Sequence, residues 1–467
     1  MEAPRWLFLA ALVYAPWAYG STREWAVTGL NIFIGGVMML WMVSCLLRRT
    51  WPQVPPVLAI ATILLAAQGW FLVGNAKFDY DPTALEFNEL SPLLPWAPGT
   101  LHRSLSLQSM AQISAMLFSL CFVCETARRA VWRKRLLLTL ALTGVSLVLL
   151  GLAQRLTNAT AIFWGPEDMG QSFFATYRYH SNAGAFLNLV WPIVAGFTLM
   201  AFLGGVTAGK RFLWATALTM CLAGTAIIAS RAAAVLAVVL SVAWGLWVLR
   251  EIARSRWKGI TVATAAVAAL VMILLVGSLA ALAGLDVSVK RWSKFHREFT
   301  EENHRLLTAQ VCLDMIPEAG AWGFGPGTFQ TAFPYFSHRY GTQIAGKWIF
   351  AHEDYLQTLI EWGYVGGAGW AFLLFGGLLN SLVRAYRHRG CLSIDVRITH
   401  FGLVTGSIGV LLHALVDFPL QIASIQLYVA VLLGILWANR HWLREPKQRV
   451  HHQRRETTPV HAVALAP

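Results

Sequence analysis

The chain is 467 residues long, 57% hydrophobic and 13% charged, with 37 Lys and Arg against 23 Asp and Glu. That balance is too apolar for a water-soluble globular enzyme, and disorder, collagen-like repeats and a disulfide-built scaffold fall with it, since six Cys is sparse for this length. An integral membrane protein remains, and its net charge of +14, spread between apolar segments, speaks for membrane orientation and anionic headgroups before nucleic acid.

Apolar runs near the roughly 17–25 residues of a membrane span fall at 6–20, 27–47, 57–73, 105–124, 136–154, 183–205, 212–229, 232–249, 259–283, 354–380, 400–416 and 421–439. They predict an all-α, polytopic fold of about twelve transmembrane helices. The first run imitates a signal peptide, but no small-residue cleavage site precedes Arg23, so it reads as an anchor. Alternate connections, together with Arg5 and the tail after Arg440, hold 24 of the 37 Lys and Arg and are assigned to the cytoplasm. Both termini then lie inside. The opposite, periplasmic side carries three connections long enough for chemistry: Asn75 to Ser104, Arg155 to Asn182, and a long loop, 285–351, containing short helices. The chain divides into N-terminal transmembrane helices (1–154), a membrane core including the long loop (155–440), and a basic, disordered cytoplasmic tail (441–467).

Ionisable side chains at the ends of apolar helices cost free energy against lipid and so mark cavities or functions unless they snorkel. Arg178, in Tyr177-Arg178-Tyr179-His180-Ser181-Asn182, stands before a helix that Ser181 or Asn182 can cap; it guards the mouth of a site or belongs to an interfacial aromatic belt. Arg231 follows Ser230 at a hinge between two apolar runs, where a functional role competes with snorkelling. Cys121 and Cys124 form a CxxC inside an apolar helix, where thiols pack as small hydrophobes.

In the long loop, His304-Arg305 opens a stretch with apolar residues at helical spacing, Leu306, Ala309, Cys312, Leu313 and Ile316, which Pro317 and Gly320 stop. An amphipathic helix lying on the membrane is expected, with Arg305 in its first turn, where the helix dipole disfavours a cation unless an anion binds nearby. The segment Trp322-Gly323-Phe324-Gly325-Pro326-Gly327-Thr328-Phe329 has neither the spacing nor the preceding strand of a nucleotide loop. Its glycines predict a tight turn that brings backbone against a neighbouring helix or a ligand. His352 then opens His352-Glu353-Asp354-Tyr355 at the start of the next span; it is an interfacial cap or a base at neutral pH, and it lacks the second His of a zincin. Glu361, and His413 with Asp417 four residues on, read as supporting groups inside the bundle.

Taken in order, Tyr179 to Asn182, Ser230-Arg231, His304-Arg305, Pro317, Gly323 to Phe329, Ala351 to Gln357, Glu361-Trp362-Gly363 and the closing His413 to Pro419 resemble the O-antigen ligase and polymerase superfamily, over about 155–437. The resemblance implies a multi-pass enzyme of the bacterial inner membrane with a GT-C-like fold. Such an enzyme is a metal-independent, inverting glycosyltransferase that needs no cofactor and moves a glycan from undecaprenyl diphosphate to an acceptor hydroxyl in the periplasm. By the same resemblance Arg231 and Arg305, and less securely Arg178, hold the donor diphosphate, and His352 is the catalytic histidine, with His304, Glu353, Glu361, His413 and Asp417 in support. Glu353 departs from the Asn or Ser that more often follows that histidine, so it either tunes His352 or caps the helix. The acceptor is lipid A core in a ligase, which one dominant loop and the lack of an appended soluble domain favour, another lipid-linked glycan in an exopolysaccharide polymerase, or a protein Ser or Thr in an oligosaccharyltransferase. A transporter or flippase is the more distant alternative; it would keep its charges near the midplane and show related halves.

Overall fold

The structure, a computed structural model, describes residues 2–170, 172–228, 230–254, 262–282, 304–344 and 346–443. The helices in chain order are α1 (Glu2–Trp17), α2 (Glu24–Leu47), α3 (Pro56–Gly74), α4 (Arg103–Thr126), α5 (Ala130–Leu156), α6 (His180–Leu203), α7 (Ala208–Ile227), α8 (Arg231–Ala253) and α9 (Val262–Leu282). They continue with α10 (His304–Ala319), α11 (Phe329–Ser337), α12 (Asp354–Arg387), α13 (Ile394–His413), α14 (Ala423–Trp437) and the short α15 (Asn439–Trp442). Each of the twelve expected apolar stretches overlaps a helix. Among the described residues, α2, α3, α4, α5, α6, α8, α12 and α13 are long and apolar enough to cross a membrane. The 16 residues of α1 and 15 of α14 fall short of that length.

Burial sorts the helices into an inner and an outer set. Nearly every residue of α6 and α14 is buried, and neither shows a polar face, as expected of helices enclosed by others. The α6 helix packs on α7 and α13, and α14 packs on α4. The outer helices reverse the soluble pattern: α2 exposes Ile32, Met39 and Leu46, and α8 exposes Val238, Val242 and Leu246. Rows of exposed aliphatic side chains on helices whose backbone is internally satisfied are what hydrocarbon surroundings require.

The connection between α3 and α4 holds an antiparallel hairpin, β1 (Phe78–Asp81) with β2 (Glu86–Glu89), Phe78 facing Glu89 and Asp81 facing Glu86. It is an addition to the all-α expectation. Its turn is built by Asp81, whose carboxylate accepts the backbone N–H groups of Thr83 and Ala84.

A second, smaller core lies in the long loop. Val311, Cys312 and Met315 of α10 pack with Phe329, Phe333 and Phe336 of α11 and with Ile360 of α12. Of the apolar residues expected on one face of α10, Cys312 is buried in this core and Ile316 packs against it, while Leu306 and Leu313 are exposed. The helix also runs through Pro317 to Ala319 and stops at Gly320, whose φ of +60° suits a residue without a side chain. At the chain's end, Trp442 and Leu443 are buried, with the Arg133 guanidinium 5.1 Å from the Trp442 ring, so they belong to the bundle and not to the expected tail. Residues 444–467 and 283–303 lie outside the described residues.

Candidate functional site

The glycines of the Trp322 to Phe329 segment explain how the site is braced. Phe324 N–H donates to the Ile360 carbonyl at 2.9 Å and Gly325 N–H to the Glu361 carbonyl at 3.0 Å, while Tyr364 and Val365 N–H groups return to Gly320 and Ala321. Two backbones therefore cross in direct contact. A Cβ on Gly323 would fall 2.3 Å from the Glu361 carbonyl oxygen, and one on Gly363 would fall 2.4 Å from the Ala321 and Trp322 backbone. Both glycines also have positive φ, and Gly363 interrupts the helical path of α12. Of the two partners the sequence leaves open for this turn, the neighbouring helix is the one observed. Glu361 completes the joint, its buried carboxylate accepting N–H from Gly327 at 2.9 Å, Phe329 at 3.3 Å and the Gln357 side chain at 3.0 Å.

This joint braces the early turns of α12, which begins two residues after His352. His352 adopts φ +56°, an uncommon conformation for a residue with a side chain. Glu353 is the N-cap of α12, its side chain accepting the Leu356 N–H at 2.5 Å, and burial pushes its carboxyl above the ordinary range. Of its two possible roles, capping is therefore the one with a visible bond. Asp354 is fully buried and clasps the chain beyond α13, accepting from Leu420 N–H at 2.8 Å and from the Gln421 amide at 3.0 Å.

That clasp brings Asp417 to His352. The imidazole Nδ1 lies 3.1 Å from Asp417 Oδ1, and the histidine ring stands edge-on to Phe418 and Trp348, at 4.8 and 5.5 Å between centroids. The second carboxylate oxygen of Asp417 accepts the Tyr179 hydroxyl at 3.2 Å, and that hydroxyl accepts Arg305 Nη2 at 3.1 Å. Arg305 also donates through Nη1 to the Val416 carbonyl at 3.2 Å. Burial alone would raise the Asp417 pKa, but the His352 hydrogen bond and the Arg305 charge outweigh it and hold the carboxyl at about 2. Burial raises the Tyr179 hydroxyl, with Asp417 adding to the effect, so the phenol is neutral.

A second polar contact lies beside the first. Ser181 Oγ is 3.1 Å from His413 Nε2 and 3.2 Å from Ser230 Oγ, which also accepts the Ala233 N–H as the N-cap of α8. Ser181 thus ties α6, α8 and α13 together and does not cap α6, whose N-cap residue, Tyr179, makes no side-chain cap bond. His413 closes α13, and Asp417 lies one turn further on, its N–H donating to the His413 carbonyl at 3.1 Å.

The starts of α6, α8, α10 and α12 therefore meet at one end of the bundle, bound through Tyr179, Ser181, Ser230, Arg305 and His352. Arg305 and His352 fall in one network with Asp417. Arg231 begins α8 immediately after Ser230. Arg178 is exposed and near enough to Glu167 that its charge helps lower that carboxylate, and among the described residues it has no hydrogen bond to the network. The side chain of His304 lies outside the described residues. Glu361 is a brace some residues away. Among the aromatics of the long loop, Trp348 packs on His352, Tyr340 donates to Asp314, and Trp322 and Tyr335 are exposed. Tyr179 and Phe418, stacked at 5.4 Å and 5° apart in plane, are site residues that sequence reasoning gave no individual role. An apolar cavity of about 290 Å³ between α4, α12 and α14 reaches Tyr355, Leu420 and Gln421 beside the Asp354 clasp.

Fold and site together define a multi-pass, helical membrane protein with a cationic and imidazole-bearing cluster where several helices begin. Residues 215–371 match the family model described as O-antigen ligase, a segment that holds Arg231, Arg305 and His352. Over that segment the similarity to the O-antigen ligase and polymerase superfamily is shown, and it supports a glycosyl-transferring membrane enzyme working on glycan and lipid-linked substrates in general. No curated protein matches the chain.

Proposed function

We propose that this protein transfers a glycan from undecaprenyl diphosphate to an acceptor hydroxyl at the periplasmic face of the bacterial inner membrane, as an O-antigen ligase whose acceptor is lipid A core. The observation that carries the reading is the chain of contacts from Arg305 through Tyr179 and Asp417 to His352, at the meeting of four helix starts. It supports a site for a diphosphate beside a base.

The leaving diphosphate gathers negative charge as the anomeric bond breaks. Guanidinium groups meet that charge with paired donors, and the N-terminal ends of helices add partial positive charge, so arginines do the work of a divalent metal. Arg305 spends two of a guanidinium's five N–H donors on described residues. Arg231, at the start of α8, is the second phosphate ligand in this reading. The acceptor hydroxyl attacks from the opposite face of the sugar, inverting the anomeric centre, and gives its proton to Nε2 of His352. Asp417, on Nδ1, fixes the tautomer that leaves Nε2 free to accept and stabilises the imidazolium that forms. The apolar cavity beside the Asp354 clasp gives room to the first isoprene units of the donor.

In this reading about twelve helices span the bilayer, both termini are cytoplasmic, and 155–440 forms the catalytic core. The test is purified protein supplied with a polyprenyl-diphosphate-linked glycan and lipid A core. Transfer in chelator-treated buffer supports the reading, and uptake of the lipid-linked glycan into liposomes without transfer supports a carrier. In a deletion strain, full-length lipid-linked chains should accumulate; single lipid-linked repeat units would make the enzyme a polymerase.

A further inference from the structure

The partly buried hydroxyl of Tyr179 sits between opposite charges. It donates to Asp417 Oδ2 at 3.2 Å and accepts from Arg305 Nη2 at 3.1 Å, and among the described residues the ion pair of Asp417 is with His352 and not with Arg305. The tyrosine is held there from both sides. It directly precedes α6, and its ring lies flat on Phe418, the residue after Asp417. Phe418 N–H in turn donates to Asp417 Oδ1 at 3.1 Å, the same oxygen that meets His352.

A guanidinium and a carboxylate this close form a paired, charge-assisted contact unless something keeps them apart. Such a contact would take up the face of Arg305 that a diphosphate needs, and it would draw the carboxylate from His352. A phenol is suited to prevent it: one proton satisfies the anion, one lone pair satisfies the cation, and the group carries no charge. We infer that Tyr179 is a positioning residue, a neutral spacer that holds Arg305 and Asp417 apart so that one serves the donor diphosphate and the other serves His352. The inference rests on the glycosyl-transfer reading and adds to it a residue through which the two halves of the site are kept independent.

The experiment is steady-state kinetics of Tyr179→Phe with a synthetic polyprenyl-diphosphate glycan and a fixed acceptor, in wild-type and Asp417→Asn backgrounds. Phe keeps the stack on Phe418 and removes only the hydroxyl. The expected result is a donor KM raised about tenfold, a kcat lowered about tenfold, and an unchanged acceptor KM. With Asp417→Asn already present, no carboxylate is left to capture Arg305, and the same substitution should change donor KM less than about twofold. Wild-type kinetics in Tyr179→Phe, or an equal loss in both backgrounds, would overturn the inference. Should Tyr179→Phe fail to fold, Tyr179→Gln, whose amide both donates and accepts, is compared with Tyr179→Met, which does neither. Gln should keep the lower donor KM, and equal values would again overturn it. Wild-type protein that binds donor and transfers nothing would instead defeat the glycosyl-transfer reading itself.

Discussion

His352 and Asp417 stand 65 residues apart in sequence and meet at 3.1 Å, the aspartate bound to the ring nitrogen that a base does not use. If that bond sets the tautomer, Asp417→Asn should act on the chemical step. An amide in its place can present its NH2 to Nδ1 and turn the wrong nitrogen toward the acceptor. The expected outcome is a kcat lowered by about 10²-fold or more with donor KM within threefold, since a positioned base contributes about 10²–10⁴-fold. Initial-rate measurements over a range of donor concentrations check it.

The same carboxylate gives an acid signature. Its folded-state pKa of about 2 lies below the ordinary value of 3.8, so its ionised form is stabilised by folding. That contribution, on the order of 2 kcal/mol, is complete above about pH 4 and disappears as pH falls through about 2. The thermal midpoint of the purified wild type should therefore exceed that of Asp417→Asn near neutrality, and the gap should close between pH 4 and pH 2. A constant gap over that window would show that the carboxylate is stabilised as strongly in the unfolded chain.

Arg231→Lys tests the phosphate contact. Lysine keeps the charge at the start of α8 but loses the planar fork that grips two oxygens at once. The proposed role predicts a loss of transfer of about 10²-fold, with expression and thermal midpoint unchanged. Near-normal turnover in the lysine variant would mean that charge alone suffices there, and the paired contact would be the wrong picture.

The spans were legible because length and apolarity are local properties, and each expected stretch overlaps a helix. Individual side chains were legible where they were costly: Arg305 and His352 stand at helix starts next to apolar segments, and they enter one network. What could not be read was pairing across the fold. His413 and Asp417 read as a pair one turn apart, but nothing local announced that Ser181 and His352, from distant segments, would meet them. Arg178 had the same composition signal as Arg305 yet makes no hydrogen bond to that network among the described residues, because the path of the chain before α6 is not written in local composition. The apolar stripe of α10 was visible, but a stripe does not say what will cover it; here α11 and α12 cover the side with Cys312 and leave Leu306 and Leu313 exposed. Glu361 was read as a supporting group, but two of its three partners are backbone N–H groups, which carry no sequence signal.

That environment predicts how Glu361→Gln should behave. The carboxylate satisfies three N–H donors, and an amide must either turn its own NH2 toward one of them or leave one unmet. A buried unmet donor costs about 1–3 kcal/mol. The variant should lose several degrees of thermal midpoint in detergent, while the transfer rate per folded molecule stays within about threefold. A stable but inactive protein would move Glu361 from the brace into the chemistry.

The backbone crossing between the glycine segment and α12 makes the sharpest structural prediction. Gly323 has φ +80° and lies where a methyl group would meet the Glu361 carbonyl at 2.3 Å, whereas Gly341 has φ +58° and nothing within 4 Å of the same position. Both substitutions to Ala incur the cost of a positive φ, about 1–3 kcal/mol. Only Gly323→Ala must also push two hydrogen-bonded backbones apart, and those bonds brace the helix that follows His352. Gly341→Ala should therefore shift the thermal midpoint by a few degrees and leave transfer intact. Gly323→Ala should cost about 3 kcal/mol or more and reduce transfer even in the fraction that remains folded, since the loop and the α12 start would no longer share one register. Equal effects of the two substitutions on midpoint and transfer would show that the crossing is not what holds the histidine in place.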